Sequence, residues 1–509
     1  MNIPLRIHWR HFLAVIVAGT SLPLHAAVIN VTTNDSYSKI ETAKAGDEVV
    51  IEPGTYRFRV YLTGQGNATN PIIIRAADPA NRPVWDFESL LVETAPGSYT
   101  AGDRGRGAWQ FSEGARHYRV SGIVIRNART ASRNSAAIRY YNSSTNLYIS
   151  NCLFEWNDNG LTGGTQGSEA TVEYCEFNSN GNTNASLSAP SHNIYVYGGY
   201  LTLRYCYVHD PVQGQNFHIR CRRSLIEYNW FARANSYEGD LMTDDDFSGS
   251  GPFTQTMTLR GNVIVQKANP LNNSQVVAVY NDAELPNLTL NVHAFYNTFV
   301  GNGGNASFIH LANGDGTAMN AEISNNIISG TGRPFLNDNP AAGTVRGQNN
   351  WLRPNATIGP LTGSVQSSAP GFRDASNQDF RLAEDSVCIG AANPDVLSPP
   401  GREYFLNEVT NRMWRIRAAA RDMGAFESTS NGPVFGPNDP EPRPALSVSF
   451  TNGAAQVSWP LFAQDYQVQE SLLLEGAAWQ NASGTVTTNA EGVTMTVALT
   501  NAGFFRLRR

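Results

Sequence analysis

A short hydrophobic motif recurs along the middle of the chain, and its second position is always Cys or Asn. Its seven copies lie at residues 151–154, 174–177, 205–208, 228–231, 261–264, 296–299 and 325–328. Their successive spacings are 23, 31, 23, 33, 35 and 29 residues. A base period of 23 residues with insertions is typical of a right-handed parallel β-helix, in which each coil is one repeat and insertions loop out of it. The sequence therefore predicts an all-β chain built around such a helix.

The Cys/Asn positions are predicted to form an internal ladder from coil to coil. Asn at a bend can bond to the backbone of neighbouring coils, and a small buried Cys fills the same volume. The chain has five cysteines, an odd number, so at least one of them stays a free thiol. A disulfide between Cys152 and Cys175 on adjacent coils is the alternative to free thiols at those two positions.

Both ends of the chain differ from these repeats. Residues 1–26 carry basic residues, a short apolar run and small residues at a cleavage position, which predicts a signal peptide and export from a bacterium to its surface, periplasm or surroundings. A short helix near residue 40 is predicted to cap the β-helix domain, residues 27–430. Residues 431–444 are a Pro-rich linker, and residues 445–509 read as a small β-sandwich of short alternating strands.

Composition narrows the classes of partner. Charged residues make up 16% of the chain and the formal net charge is −6, so no basic field attracts nucleic acid. No later apolar stretch has the length of a transmembrane helix. Nearly all basic residues are arginines, the side chain suited to bidentate contact with carboxylate or sulfate. We expect a monomer whose partner is a polysaccharide.

The first coils resemble the start of β-helical polysaccharide lyases of the chondroitinase B and alginate lyase kind. The similarity lies in residues 44–56, 64–67 and 70–76. Residues 192–196, 209–210, 218–220 and 236–240 are also similar to secreted β-helix proteins related to pectate lyases. The first resemblance implies a catalytic Lys followed by an Arg one coil later, with acidic Ca²⁺ ligands. No lysine occurs between Lys44 and Lys267, so that base has no counterpart in the central coils.

Strand alternation predicts one polar patch on the outside of the helix. In residues 193–197 the apolar Ile194 and Val196 point inward, so Tyr195 and Tyr197 face out. One coil later the same alternation places His218 on Tyr195 and Arg220 on Tyr197. The next coil is predicted to add Glu238 and Asp240 to the same face, and three further residues are predicted to lie nearby as substrate-binding groups: His192, His209 and Arg222.

The candidate chemistry follows from these residue types. His218 as base, Arg220 as the cation that neutralises a carboxylate and Tyr195 as acid meet the needs of β-elimination from a uronate. We therefore predict a polysaccharide lyase. A glycoside hydrolase whose acids are Glu238, Asp240 and the acidic run that begins at Asp244, and a carbohydrate-binding protein without catalysis, are the alternatives. The run Asp244, Asp245 and Asp246 is either a Ca²⁺ site or a solvated acidic loop.

Overall fold

In this computed structural model, three parallel β-sheets form the main body, and most coils contribute one strand to each of them. The structure describes residues 26–98, 106–141, 143–182, 191–243, 252–268, 275–281, 285, 287–302, 304, 307–396, 398–405, 413–451, 454–471, 479–498 and 504–508. Apart from Ala26, the predicted signal peptide lies outside these residues. The described part of the chain contains no helix with the length and hydropathy of a membrane span.

Strands are numbered in chain order and grouped in the sheets A, B and C. Sheet A contains β1 (Val28–Val31), β2 (Glu48–Ile51), β5 (Ile72–Ala76), β8 (Tyr118–Ser121), β11 (Leu147–Ser150), β14 (Glu169–Glu173), the second halves of β16 (Ile194–Arg204) and β18 (Phe217–Glu227), β21 (Phe253–Arg260), β24 (Leu288–Phe295), β27 (Ala318–Ser324), β30 (Val345–Gln348) and β32 (Leu361–Thr362). Sheet B contains β3 (Thr55–Tyr56), β6 (Val84–Asp86), β9 (Val124–Arg126), β12 (Leu153–Glu155), β15 (Glu176–Asn178), β17 (Tyr207–His209), β19 (Trp230–Ala232), β22 (Val263–Val265), β25 (Thr298–Val300), β28 (Ile327–Ser329), β31 (Trp351–Leu352) and β33 (Val365–Gln366). Sheet C contains β4 (Val60–Leu62), β7 (Gly107–Phe111), β10 (Ala136–Tyr140), β13 (Leu161–Gly163), the first halves of β16 and β18, β20 (Gly239–Met242), β23 (Gln275–Tyr280), β26 (Ser307–Ala312) and β29 (Arg333–Asn337).

This topology confirms the predicted right-handed parallel β-helix. The inward residues of all three sheets form one continuous hydrophobic core along the axis. The short α-helix α1 (Ser38–Glu41) packs on β1 and β4 with Ile40 fully buried, and it caps the first coil as predicted.

The Cys/Asn ladder lies at the corner between sheets A and B. Cys206 N–H donates to Asn229 Oδ1 at 2.9 Å, and each Asn from 229 to 326 then donates through Nδ2 to the Oδ1 of the next, ending at Asn350. The residue before each ladder position has a positive φ, for example +53° at Tyr174 and +55° at Tyr296, which makes the tight bend between the sheets. All five cysteines are buried free thiols, so the alternative disulfide between Cys152 and Cys175 is absent from this structure.

The residues after the last coil cover sheet B and build the C-terminal module. β34 (Phe372–Asp374), β35 (Asp379–Leu382), β36 (Arg402–Phe405), β37 (Met413–Ile416) and β38 (Val434–Phe435) form small antiparallel sheets. Phe380 and Tyr404 of this segment pack on Trp230 and Val263 of sheet B. The outer face of sheet B is therefore apolar and covered at this point.

The C-terminal module is a β-sandwich of two antiparallel sheets, as predicted. Its strands are β39 (Ser447–Thr451), β40 (Ala454–Trp459), β44 (Gly492–Ala498) and β43 (Gly484–Asn489) in one sheet, and β42 (Gln480–Asn481), β41 (Gln467–Ser471) and β45 (Phe504–Arg508) in the other. Trp459 and Leu461 belong to one hydrophobic cluster with Phe295 and Tyr296 of the β-helix. The module thus shares buried apolar surface with the coils.

Candidate active site on sheet C

The structure brings Tyr195, His218 and Asp240 together in one outward row of sheet C. Tyr195 pairs in register with His218, and His218 pairs with Asp240 on the following strand. Tyr197 pairs with Arg220 in the neighbouring outward row. This register follows from the spacing of 23 residues between β16 and β18, because one full coil returns the chain to the same sheet.

His218 is enclosed by two rings and a carboxylate. Its ring centroid lies 4.6 Å from that of Tyr195, with the planes at 82°, and 4.7 Å from that of His192, with the rings stacked. His218 Nδ1 is 3.3 Å from Asp240 Oδ2. A carboxylate beside Nδ1 favours the tautomer with the proton on Nδ1, which makes Nε2 the basic nitrogen. His218 is 9% exposed and both of its ring nitrogens are buried, so the imidazole lies in a largely dehydrated site.

His192 is a neutral partner of His218. Burial, together with the neighbouring His218, holds the pKa of His192 well below its ordinary value. Its Nδ1 accepts a hydrogen bond from the backbone N–H of Gln215 at 3.2 Å, so its proton resides on Nε2. Its own backbone N–H donates to Asn159 Oδ1 at 2.9 Å, which anchors the residue before β16 begins. His192 therefore contributes a fixed ring face and one donor.

Arg220 is held in place by the next coil. It is 5% exposed, and its Nε donates to the backbone carbonyl of Thr243 at 2.8 Å. His218 and Arg220 face the same way on one strand, two residues or roughly 7 Å apart. A base and a guanidinium at this separation can address a carboxylate and the carbon next to it.

Three predicted binding residues do not lie on the outer face of sheet C beside His218. Glu238 is fully buried and points into the corner between sheets B and C, because β20 begins only at Gly239. His209 belongs to sheet B, where its ring stacks on Tyr207 with the centroids 3.8 Å apart and its Nδ1 lies 2.7 Å from Asp210 Oδ2. Arg222 is exposed beyond the bend of β18, with its guanidinium carbon 5.3 Å from the ring centroid of Phe253.

Glu238 ends a second ladder of side-chain amides. Asn157, Asn180, Asn193 and Asn216 each donate through Nδ2 to the next member, and Asn216 Nδ2 donates to Glu238 Oε2 at 2.7 Å. Glu238 Oε1 accepts from the backbone N–H of Ala234 at 3.0 Å. Burial raises the pKa of Glu238 to about 8 although these donors lower it. Two residues later, on β20, lies Asp240.

Sequence reasoning missed three members of this surface. Arg139 lies in the row of Tyr195, joined to it through Thr162, and its guanidinium carbon is 4.9 Å from the ring centroid of Tyr141. On the other side of Asp240 the row continues to His310, and Tyr237 stacks on Tyr280 at 6.4 Å. The alternation in residues 136–140 would have identified Arg139, since Ile138 must face inward.

The predicted metal ligands Asp244, Asp245 and Asp246 lie outside the described residues. Within the described part of the chain, no group of three or more His, Cys, Asp or Glu side chains is arranged to hold a metal ion.

Several solved structures are similar to this chain. Pectate lyase Pel9A has 14% sequence identity and a TM-score of 0.48, over 79% of this chain and 96% of the other. An alginate lyase from a Paenibacillus species has 13% identity and a TM-score of 0.37, over 66% and 97% of the two chains. A PL6 family alginate lyase, AlyGC, has 14% identity and a TM-score of 0.26, over 74% and 60%. No family model matches the sequence, and no curated protein matches it.

Proposed function

We propose that this chain is a secreted polysaccharide lyase that cleaves an acidic, uronate-containing polysaccharide by β-elimination. The observation that carries the proposal is His218 held between Tyr195, His192 and Asp240, with Arg220 on the same strand and face. This arrangement supplies a base, an acid and a cation on a rigid sheet.

The reaction assigns one role to each group. Arg220 binds the uronate carboxylate, which stabilises the charge that develops when the proton on the adjacent carbon is removed. His218 Nε2 takes that proton, the electron pair forms a carbon-carbon double bond, and the bond to the glycosidic oxygen breaks. The Tyr195 hydroxyl gives its proton to the departing oxygen. Asp240 stabilises the imidazolium that forms at His218.

The buried position of Glu238 disfavours the glycoside hydrolase alternative. Such an enzyme needs two carboxyl groups on opposite sides of the scissile bond. Glu238 is fully buried in the amide ladder, whereas Asp240 lies on the outer face beside His218. The two carboxyl groups therefore do not face one substrate. A binding protein without catalysis is distinguished from a lyase by turnover alone.

The test is a screen of polygalacturonate, alginate and chondroitin sulfate for unsaturated products, followed by His218→Ala on the active substrate. We expect His218→Ala to lower kcat roughly 10²- to 10⁴-fold, the usual worth of a general base. Arg222→Ala is the matched control, because Arg222 lies on the same strand but is exposed away from the site. It should keep native activity.

Two results would contradict the proposal. One is native-level turnover by His218→Ala with an unchanged melting temperature. The other is the release of reducing ends without any unsaturated product, which is hydrolysis. A parallel assay with a chelator tests the proposed Ca²⁺ site at Asp244, Asp245 and Asp246, since loss of activity that Ca²⁺ restores would support it.

A further inference from the structure

The outer face of sheet A carries a polar groove that the proposed elimination does not use. A cavity of about 850 Å³ lies on this face. Its floor comes from four outward residues that stand in register on adjacent strands: Tyr148, Thr171, Thr202 and Leu225. These residues belong to a different sheet from His218, so the groove is separate from the site on sheet C.

The C-terminal module contributes Asp465 to the lining of this groove. Arg204 Nη1 of β16 lies 3.7 Å from Asp465 Oδ2. The same guanidinium holds Glu173 through Nε at 2.5 Å, and Tyr148 donates its hydroxyl proton to Glu173 Oε2 at 2.6 Å. Asn67 and His117 of the coils also line the cavity. Apart from Asp465, the described lining therefore comes from the coils.

The polar surface continues along the helix axis beyond this cavity. Tyr200, beside Thr202 on β16, is 47% exposed and pairs in register with Glu169 of the cavity. Further along the same sheet a second polar cavity of about 280 Å³ contains Asn291 and Asn320. We call the outward surface of sheet A from Tyr148 to Asn320 the A strip.

The A strip carries charges of both signs. Arg204 pairs with Glu173, Arg260 pairs with Glu227, and Arg346 Nη2 at its far end lies 2.7 Å from Glu322. Arg119 and Glu169 also line the larger cavity, and Arg223 stands in register beside Tyr200. Interspersed charges of both signs create no field of one sign, so the strip does not select for a polyanion. Hydroxyl, amide and ionic groups can instead exchange hydrogen bonds with sugar hydroxyls, and the exposed ring of Tyr200 offers a face on which a sugar stacks.

We propose that the A strip is a second carbohydrate site, which binds a neutral polysaccharide chain lying along the helix axis. Coils repeat every ~4.8 Å, a distance close to the length of one sugar unit in an extended chain, so each unit can meet equivalent positions on successive coils. The occupant is chemically distinct from the uronate polymer proposed for sheet C. Such a site would keep the protein on a mixed cell-wall material while sheet C acts on its acidic component.

The experiment is native gel electrophoresis of the full chain through gels containing hydroxyethylcellulose, galactomannan or a mixed-linkage β-glucan. The protein carries His218→Ala, so that the result does not depend on turnover. We expect at least one neutral polymer to retard it, with little change when salt is raised. Tyr200→Ala should weaken the apparent affinity about tenfold through loss of a stacking ring, and Tyr200→Phe should keep it.

Trp156→Ala is the matched control, because Trp156 has the same exposed fraction of 47% but lies outside the A strip. It should leave retardation unchanged. The proposal is overturned if no neutral polymer retards the protein, if only polygalacturonate does so in a salt-sensitive way, or if Tyr200→Ala and Trp156→Ala behave alike. None of these outcomes bears on elimination at His218.

Discussion

Two ladders of buried polar side chains stabilise corners of the β-helix, and they differ in length and in how they end. The ladder between sheets A and B runs from Cys152 to Asn350 and contains only thiols and amides. The ladder between sheets B and C is short and ends on the carboxyl group of Glu238. Neutral groups therefore suffice to hold coil register, whereas an ionisable group occurs where the corner adjoins Asp240 and His218.

The largest expected loss of stability comes from a substitution in the long ladder, the one between sheets A and B. Cys175 is fully buried among thiols and backbone carbonyls, with its Sγ 3.3 Å from the carbonyl oxygen of Glu173. Cys175→Arg would bury an unpaired charge between coils and cost several kcal/mol. We expect no soluble folded protein on expression. A variant with a native melting temperature would show that the ladder does not lie in the interior of the β-helix.

A matched pair of substitutions separates the two ladders. Asn216 and Asn262 are both fully buried, and each donates two hydrogen bonds through Nδ2 and accepts one from Nδ2 of the preceding Asn. Asn262 Oδ1 also accepts one from the backbone N–H of Asn229. Replacing either with Ala should lower the free energy of unfolding by about 1–3 kcal/mol.

Only Asn216→Ala should also lower kcat, by about tenfold, because it releases Glu238 at the start of the strand that carries Asp240. Unfolding curves and steady-state kinetics on the active substrate check both statements. Equal kcat values for the two variants would mean that the short ladder is as purely structural as the long one.

The pH dependence of stability is a smaller and more specific test. Burial raises the pKa of Glu238 from its ordinary 4.5 to about 8, so the folded chain keeps a proton that the unfolded chain has lost between those values. The free energy of unfolding should therefore fall as pH rises from 5 to 8, by at most about 1.4 kcal/mol per pH unit from this group. Glu238→Gln, which cannot ionise, should show a flatter profile in chemical unfolding measured across this range. A slope identical to that of the native chain would exclude Glu238 as the titrating group.

The smallest effect on stability is expected from replacing a thiol of the Cys/Asn ladder with an amide. Cys206 Sγ lies 3.7 Å from the carbonyl oxygen of Val172 on the preceding coil, much as Asn229 Nδ2 bonds to that of Leu203. In Cys206→Asn an amide can take up these same contacts, so the free energy of unfolding should stay within about 1 kcal/mol of that of the native chain. Thermal unfolding of the two proteins measures this difference. A failure to fold, as expected for Cys175→Arg, would show that the cysteine positions of the ladder do not accept an amide.

Much of the candidate site was predictable because it lies inside regular strands. The 23-residue spacing and the two-residue alternation together place His218 on Tyr195 and Arg220 on Tyr197, and the structure has this register. The same reasoning fails at Glu238, since alternation applies only within a strand and residue 238 precedes β20. His209 lies close to this site in sequence, but a corner separates its strand on sheet B from sheet C.

The coil period, the inward and outward residues of most strands and the ladder at the corner between sheets A and B follow from the amino-acid sequence alone. These features repeat locally, so each copy of the motif carries the information for its own coil. Only the tertiary structure decided where the corners fall and how the C-terminal module packs beside Phe295 and Arg204. Such contacts join residues that are far apart in the chain, and their geometry depends on the accumulated stacking of the coils between them.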